Sequence, residues 1–186
     1  MRKRKLLLDT CCAHCLCYPD SVMRDKFDIT VYFYGSNIQP YTEYQKRLNA
    51  LIEYTKMKNM PLVQAPYSIV NWFDMLKNSE NTFDLLCKDK VRRCTLCYTA
   101  RFEVLLEYAR NKQFDIVSTT LLYSKYQYHD ILKNLGQSII ADSGIGFYYK
   151  DFREGWEKGF DLYNKTKLYK QKYCGCVFSE QERFMK

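Results

Sequence analysis

Leu6-Leu7-Leu8-Asp9-Thr10-Cys11-Cys12-Ala13-His14-Cys15-Leu16-Cys17 decides how this chain is read. A short apolar run bounded by polar residues predicts a buried strand. Four cysteines then arrive in the loop beyond its carboxyl end, which is where open α/β sheets bind their ligands. Adjacent cysteines pair with each other only at the cost of strain. Each can instead offer a thiolate to a metal, so the loop reads as half of a metal site.

Upstream, Met1-Arg2-Lys3-Arg4-Lys5 is basic, but the apolar run behind it is too short for a signal peptide, so a cytoplasmic protein is expected. No apolar stretch approaches membrane-spanning length, and no membrane partner is expected. The 186 residues suit a single domain, with a core over about 1–145 and a C-terminal extension over about 146–186 that closes the metal site. Nine cysteines, an odd number without an export signal, argue against a secreted disulfide scaffold. All but Cys87 fall in three groups, which favours metal or redox chemistry over service as small buried hydrophobes. A net charge of +8 with 17 tyrosines and 11 phenylalanines favours an anionic partner, nucleic acid among them.

Downstream, Pro19-Asp20 predicts a first helix over Asp20 to Phe27, and Asp28 to Tyr34 alternates as a strand. Tyr44, Leu48, Leu51, Ile52 and Thr55 share one face of a helix over Tyr41 to Lys58. Leu62 to Ala65 reads as a short strand. Weaker helical patterns follow at Trp72 to Lys77 and Phe83 to Lys88. A stronger helix begins near Cys94, then a strand over Asp115 to Thr120, a helix over Lys125 to Leu135 and a strand at Ile139-Ile140-Ala141. Phe152, Trp156, Phe160 and Tyr163 space as a helix face, and Ser179 to Glu182 has capping-box form for a terminal helix. Strands alternating with helices predict an α/β fold: a mainly parallel sheet with helices on both faces, Rossmann-like, and a C-terminal helical extension.

Cys94-Thr95-Leu96-Cys97 is a Cys-x-x-Cys at a helix start, flanked by Lys88, Lys90, Arg92, Arg93 and Arg101. The helix dipole and these cations favour thiolates. With Cys11-Cys12 and Cys174-Gly175-Cys176, the chain has more thiols than one zinc ion needs, at spacings unlike a zinc finger. A cubane iron–sulfur cluster takes four thiolates, leaving others for a second metal or a dithiol–disulfide pair. Asp9 is a candidate oxygen ligand or acid, or a strand-end residue capping the turn. His14 and His129 read more simply as structure. Lys165, Lys167, Lys170 and Lys172 alternate with Tyr163, Tyr169 and Tyr173, a pattern suited to phosphate contacts and base stacking on unpaired RNA.

Several motifs in order carry a family resemblance. They are Asp9-Thr10-Cys11-Cys12-Ala13-His14-Cys15, Asn37-Ile38-Gln39-Pro40 with Glu43-Tyr44 and Arg47, Arg93-Cys94-Thr95-Leu96-Cys97-Tyr98 with Arg101, Thr119-Thr120-Leu121-Leu122, Asp151-Phe152-Arg153, and Tyr169 to Cys176. Together, over about residues 5–179, they resemble the cobalamin-independent, iron–sulfur epoxyqueuosine reductases. The resemblance implies reduction of epoxyqueuosine to queuosine in the anticodon loop of tRNA, with a 4Fe-4S cluster beside a separate mononuclear iron. A remoter likeness joins Arg93-Cys94-x-x-Cys97-x-x-x-Arg101 to the iron–sulfur tRNA thiolases of the PP-loop (HUP-like) group. Those carry a glycine-rich phosphate loop where this chain has Asp-Thr-Cys-Cys-Ala-His, so the fold carries over and ATP chemistry does not.

Deoxygenating an epoxide takes two electrons and two protons and releases water, whereas a cluster passes one electron at a time. A second redox centre meets that mismatch. The resemblance thus implies that Cys12, Cys94, Cys97 and Cys176 hold the cluster, with Cys11, Cys174 and Asp9 serving the extra iron or a reducible pair. That iron would polarise the epoxide oxygen as a Lewis acid. Tyr98, Asp9 or Arg153 would relay protons, and a ferredoxin or flavodoxin would supply electrons. The rival readings are a zinc-stabilised, non-catalytic RNA-binding module and a thiol–disulfide oxidoreductase using Cys94 and Cys97.

Overall fold

A computed structural model describes residues 2–77 and 83–185. In chain order its elements are β1 (Arg4–Asp9), α1 (Ala13–Met23), β2 (Phe27–Phe33), α2 (Tyr41–Met57), β3 (Leu62–Gln64), α3 (Ile69–Lys77), α4 (Phe83–Lys88) and α5 (Lys90–Asn111). Then come β4 (Ile116–Thr119), a 3-10 turn (Thr120–Tyr123), α6 (His129–Ile140), β5 (Gly146–Phe147), a second 3-10 turn (Arg153–Gly155), α7 (Trp156–Asn164) and α8 (Val177–Phe184). Residues 78–82, between the two weaker helices, lie outside the described residues.

The sheet runs β3-β2-β1-β4-β5 with every neighbouring pair parallel. Leu7 sits opposite Thr30 of β2 and opposite Val117 of β4. β1 is therefore central, and Leu6, Leu7 and Leu8 are each 0% exposed, which explains an unbroken apolar run where a one-sided strand would alternate. Each such side chain contributes about 1.5–3 kcal/mol on burial. The chain winds outward from β1 to β3 and returns to β4, so strand order reverses between β1 and β4. At such a switch point the carboxyl ends of the two strands leave a crevice. α1 packs against α2 and α7, and α5 packs against α6 and the sheet, with Phe102 edge-on to Phe147 and Tyr108 against Tyr32. A smaller apolar cluster of Trp72, Leu76, Leu86 and Phe178 joins α3, α4 and α8.

Three expected elements are corrected. The first helix starts at Ala13, not Asp20, because the Cys12 thiol caps it by accepting the Cys15 N–H at 3.4 Å. Pro19 thus lies within the helix, where its missing N–H forgoes one backbone bond; the expectation had taken it for a helix-start signal. Ile139 and Ile140 form the last turn of α6, and Ala141 its C-cap, in place of a strand. Leu132, Gly136 and Ile140 are the buried stripe of that helix, and a Cβ on Gly136 would meet the Phe147 ring at 2.4 Å. Finally, α8 begins at Val177 with Cys176 as N-cap. The Ser179 hydroxyl, expected as the cap, accepts the Gly175 N–H at 3.1 Å from inside the first turn, and Glu182 pairs with Arg93 and Lys90.

Candidate metal centre

At the switch point, the thiols fall into two groups that share Cys11. Cys11, Cys94, Cys97, Cys174 and Cys176 line one cavity, together with Tyr98, Arg101 and Gln127. The sulfurs of Cys11, Cys12 and Cys15 all lie within 4.8 Å of one another, with Cys11 and Cys12 at 3.7 Å. Cys12 is not on the cavity wall among the described residues. Its sulfur caps α1 and accepts from Gln171 Nε2 at 2.8 Å. Cys94 and Cys97 sit in the first turns of α5, where Asp89 caps the helix by accepting the Arg92 N–H. Cys17 donates to the Ala13 carbonyl at 3.5 Å and belongs to neither group.

Charge is arranged around these sulfurs. Burial pushes the Cys94 thiol up to about 12, reinforced by Cys174 and Cys176, and burial also raises Cys97 and Cys174. Cys11 rises to about 11, chiefly because its S–H is donated to Cys12. Burial opposes the Cys12 thiolate as well, but hydrogen bonds from Cys11 and Cys15 and the Arg47 charge together carry it well below the ordinary thiol value. Without a metal, then, most of this group keeps its protons. A bound cation would displace them, coupling metal affinity to pH.

Asp9 is paired with Arg101. Both oxygens are engaged: Oδ1 accepts from Arg101 Nη2 at 2.6 Å, and Oδ2 accepts from Arg101 Nε at 3.0 Å and Thr119 Oγ1 at 2.7 Å. Burial raises the Asp9 carboxyl, and Arg101 and Thr119 pull it back. Arg101 also donates to the Tyr34 carbonyl and to Asn37 Oδ1, so one guanidinium ties the ends of β1 and β2 to α5. Tyr98 faces the cavity; its hydroxyl donates to Gln127 Oε1 at 2.8 Å and accepts the Tyr128 N–H at 3.3 Å. Burial holds that phenol far above its ordinary value, so it carries its proton at neutral pH. Arg153 is elsewhere, half exposed and paired with Asp151 at 2.6 Å. The tyrosines of the lysine run are also committed. Tyr163 is buried with its hydroxyl on the Tyr169 carbonyl, Tyr169 donates to Glu43, and Tyr173 to the Gln39 carbonyl.

The C-terminal thiols are held by an arrangement legible only in three dimensions. Arg47 is 1% exposed. It pairs with Glu43 at 2.7 Å and donates to the carbonyls of Tyr173 and Cys174 at 2.9 and 2.8 Å. Gln39 N–H donates to the Gly175 carbonyl at 2.8 Å. Gly175 has φ 141°, and a Cβ there would sit 3.2 Å from Arg47 Nη1, so a glycine is needed between the two cysteines. Replacing Arg47 with Met removes charge-assisted bonds worth about 1.5–3 kcal/mol each. Amide exchange at Gln39 is expected to quicken by about 10–100-fold, the corresponding change in the open population, while α5 amides keep their rates. Gln127, which donates to Cys174 at 3.5 Å, carried no sequence signal. Cys15 did carry one, its spacing of three from Cys12, but was left out of the expected ligand set.

A five-stranded parallel sheet with thiols at the switch point defines the class: an open α/β fold with a cysteine-lined crevice. The fold is similar to that of the U34-tRNA thiolase NcsA from Methanococcus maripaludis, solved with its 4Fe-4S cluster (TM-score 0.58, 11% identity, covering 96% of this chain and 62% of that one). A family model described as epoxyqueuosine reductase QueH matches residues 6–182. Proteins of that name from Dehalococcoides mccartyi and Thermotoga maritima are 32% and 31% identical over 98% and 95% of this chain, and over 96% and 93% of their own lengths. The chain belongs to the epoxyqueuosine reductase QueH family. Among the described residues no helix is long and apolar enough to cross a membrane.

Proposed function

We propose that this protein is an iron–sulfur oxidoreductase that removes the epoxide oxygen of epoxyqueuosine in tRNA to give queuosine. The observation that carries the reading is the gathering of Cys11, Cys94, Cys97, Cys174 and Cys176 on one cavity at the switch point, in a chain of this family. The donor set fits an iron–sulfur group. It is all thiol, it exceeds the demand of a single zinc ion, and the Arg101 and Arg93 guanidiniums beside it offset the negative charge that four thiolates bring. Cys11, Cys94, Cys97 and Cys176, which share the cavity wall, would hold a 4Fe-4S cluster. Cys174, on the segment tied down by Arg47, would serve a second iron. When bound, the cluster supplies electrons singly at low potential, and a ferredoxin- or flavodoxin-like protein would deliver them.

The chain's own residues do the rest. Tyr98 holds a proton at Oη inside the cavity, polarised through Gln127, in position to protonate a departing oxygen. Trp72, Leu121 and Phe178 on the cavity wall exclude water. Asp9, with both oxygens on Arg101 and Thr119, acts by fixing the loop that carries Cys11. Outside, Tyr126 is 77% exposed next to Gln127, its ring edge-on to Trp156. Lys125 and Lys170 lie over the Trp156 and Phe160 rings. Stacking faces flanked by lysines suit the unpaired nucleotides around the modified base.

The test is direct. Protein purified without oxygen is expected to contain iron and sulfide in excess of one cluster, and to convert epoxyqueuosine in tRNA to queuosine with a low-potential electron donor. Stoichiometric zinc without iron, or reduction by a metal-free dithiol form, would overturn the proposal.

A further inference from the structure

The cavity contains two buried N–H donors that satisfy nothing. Trp72 is 2% exposed and lines the cavity, yet among the described residues its indole Nε1 has no hydrogen-bond partner. Arg93 is 4% exposed and lines the same cavity. Its Nη1 donates to the carbonyls of Leu86 and Cys87 and its Nη2 to Glu182, but its Nε is unpartnered. Buried donors are almost always paired, and an unpaired one costs the full desolvation of the group. Tryptophan has only that one polar atom. A phenylalanine would fill the same apolar cluster without it. Two idle donors on one cavity, each from a different helix, mark a place for an acceptor.

The acceptor class follows from the neighbours. Cys97 and Cys176 pack against the apolar cluster to which Trp72 belongs. Arg93 is adjacent in sequence to Cys94, and its guanidinium carbon lies 5.2 Å from the Phe178 ring centre. The other side-chain acceptors on this wall are occupied, Asn37 Oδ1 by Arg101 and Gln127 Oε1 by Tyr98, which leaves sulfur. We propose that Trp72 Nε1–H, assisted by Arg93 Nε–H, donates to the sulfur face of the cluster and sets its reduction potential. The inference rests on the iron–sulfur reading above and deepens it. Trp72 would thereby tune the electron carrier and leave the reacting oxygen to other groups.

An N–H donated to sulfur stabilises the more negative, reduced form. Reduction potentials of such clusters respond to hydrogen bonds on sulfur as well as to charge and solvent. Trp72→Phe keeps the ring in the apolar cluster and removes only the donor. The anaerobic, cluster-loaded variant is expected to keep the parent's iron and sulfide content. Its equilibrium for one-electron reduction should fall about tenfold, a downward shift of about 59 mV. A merely structural role would lower cluster content or thermal stability and leave the potential in place. As a measurement free of any substitution, the reduced parent grown with isotopically labelled indole nitrogen should show hyperfine coupling from that nitrogen to the cluster spin. Trp156, stacked on Tyr123, does not line the cavity.

A full cluster whose potential is unmoved in Trp72→Phe would overturn the inference alone. So would absent coupling in the parent, whatever the variant does. A parent that binds no cluster overturns it together with the function it rests on.

Discussion

Cys11→Ala is expected to cost more activity than any other single cysteine change in the first loop. Its sulfur is the one member common to both thiol groups: it lines the cavity with Cys94, Cys97, Cys174 and Cys176, and it stands 3.7 Å from Cys12. Even outer partners of a metal site change affinity or activity by 10–100-fold, so loss of Cys11 should lower turnover by more than about 100-fold and reduce iron per chain. Cys15→Ala, which removes a sulfur of the Cys11–Cys12 group that is not on the cavity wall, should act in the same direction and less strongly. Cys17→Ala removes a sulfur bonded to the Ala13 carbonyl and to Tyr54, outside both thiol groups, and should leave iron content unchanged. The ordering Cys11, Cys15, Cys17 is checked by anaerobic iron and sulfide quantification beside single-turnover reduction of epoxyqueuosine-containing tRNA. Equal losses at Cys11 and Cys17 would detach the centre from the switch-point loop.

The architecture was legible because its signals are local. Leu6 to Leu8 is apolar without alternation since β1 is covered on both faces, and α2 shows its buried face at helical spacing. The misread elements each have a physical cause. A thiol capped α1, a role sequence rules assign to Ser, Thr, Asp or Asn, so Pro19 stood as the nearest start signal. In α6 the stripe continues through Gly136, where a glycine is demanded by the Phe147 ring rather than by a turn. The candidate site was legible as a pool of cysteines and opaque as a geometry. Whether Cys11 or Cys12 turns to the cavity depends on which sulfur caps α1, a contact that spacing does not encode. The Arg101 side chain that pairs with Asp9 comes from 92 residues away, a contact that spacing does not encode either. Tyr126 was absorbed into an expected helix over Lys125 to Leu135, yet it lies outside α6, on the loop between cavity and surface.

That loop shows how the fold couples substrate access to chemistry. Gln127 reaches inward to Tyr98 and Cys174, while Tyr126, its neighbour, faces solvent beside Trp156. Arg47 holds the segment that carries Cys174 through two backbone carbonyls. Both side chains thus fix a cavity-lining thiol, so loosening either displaces sulfur.

Arg101→Leu is expected to be the most destabilising single substitution. Arg101 and Asp9 are each 2% exposed and paired at 2.6 Å, and removing one partner of a buried pair costs roughly 3–5 kcal/mol. For a domain of this size that is a fall of roughly 6–20 °C in melting temperature. The deficit has a pH signature. Burial already raises the Asp9 carboxyl above the ordinary aspartate value, and Arg101 is the strongest group pulling it down. Without Arg101 the folded carboxyl rises further and binds its proton more tightly than the unfolded chain does. A carboxyl raised on folding destabilises progressively as pH climbs from its unfolded value through its folded one. Metal-free Arg101→Leu should therefore lose more stability, relative to parent, at pH 8 than at pH 5. Adding Asp9→Asn removes the stranded charge, so the double variant should recover part of the loss and flatten the pH dependence. Thermal melts of parent, both single variants and the double form a cycle that isolates the pair. A deficit that does not change with pH, or a double variant that only adds the two losses, would mean that Asp9 is sustained by Thr119 and the backbone rather than by Arg101.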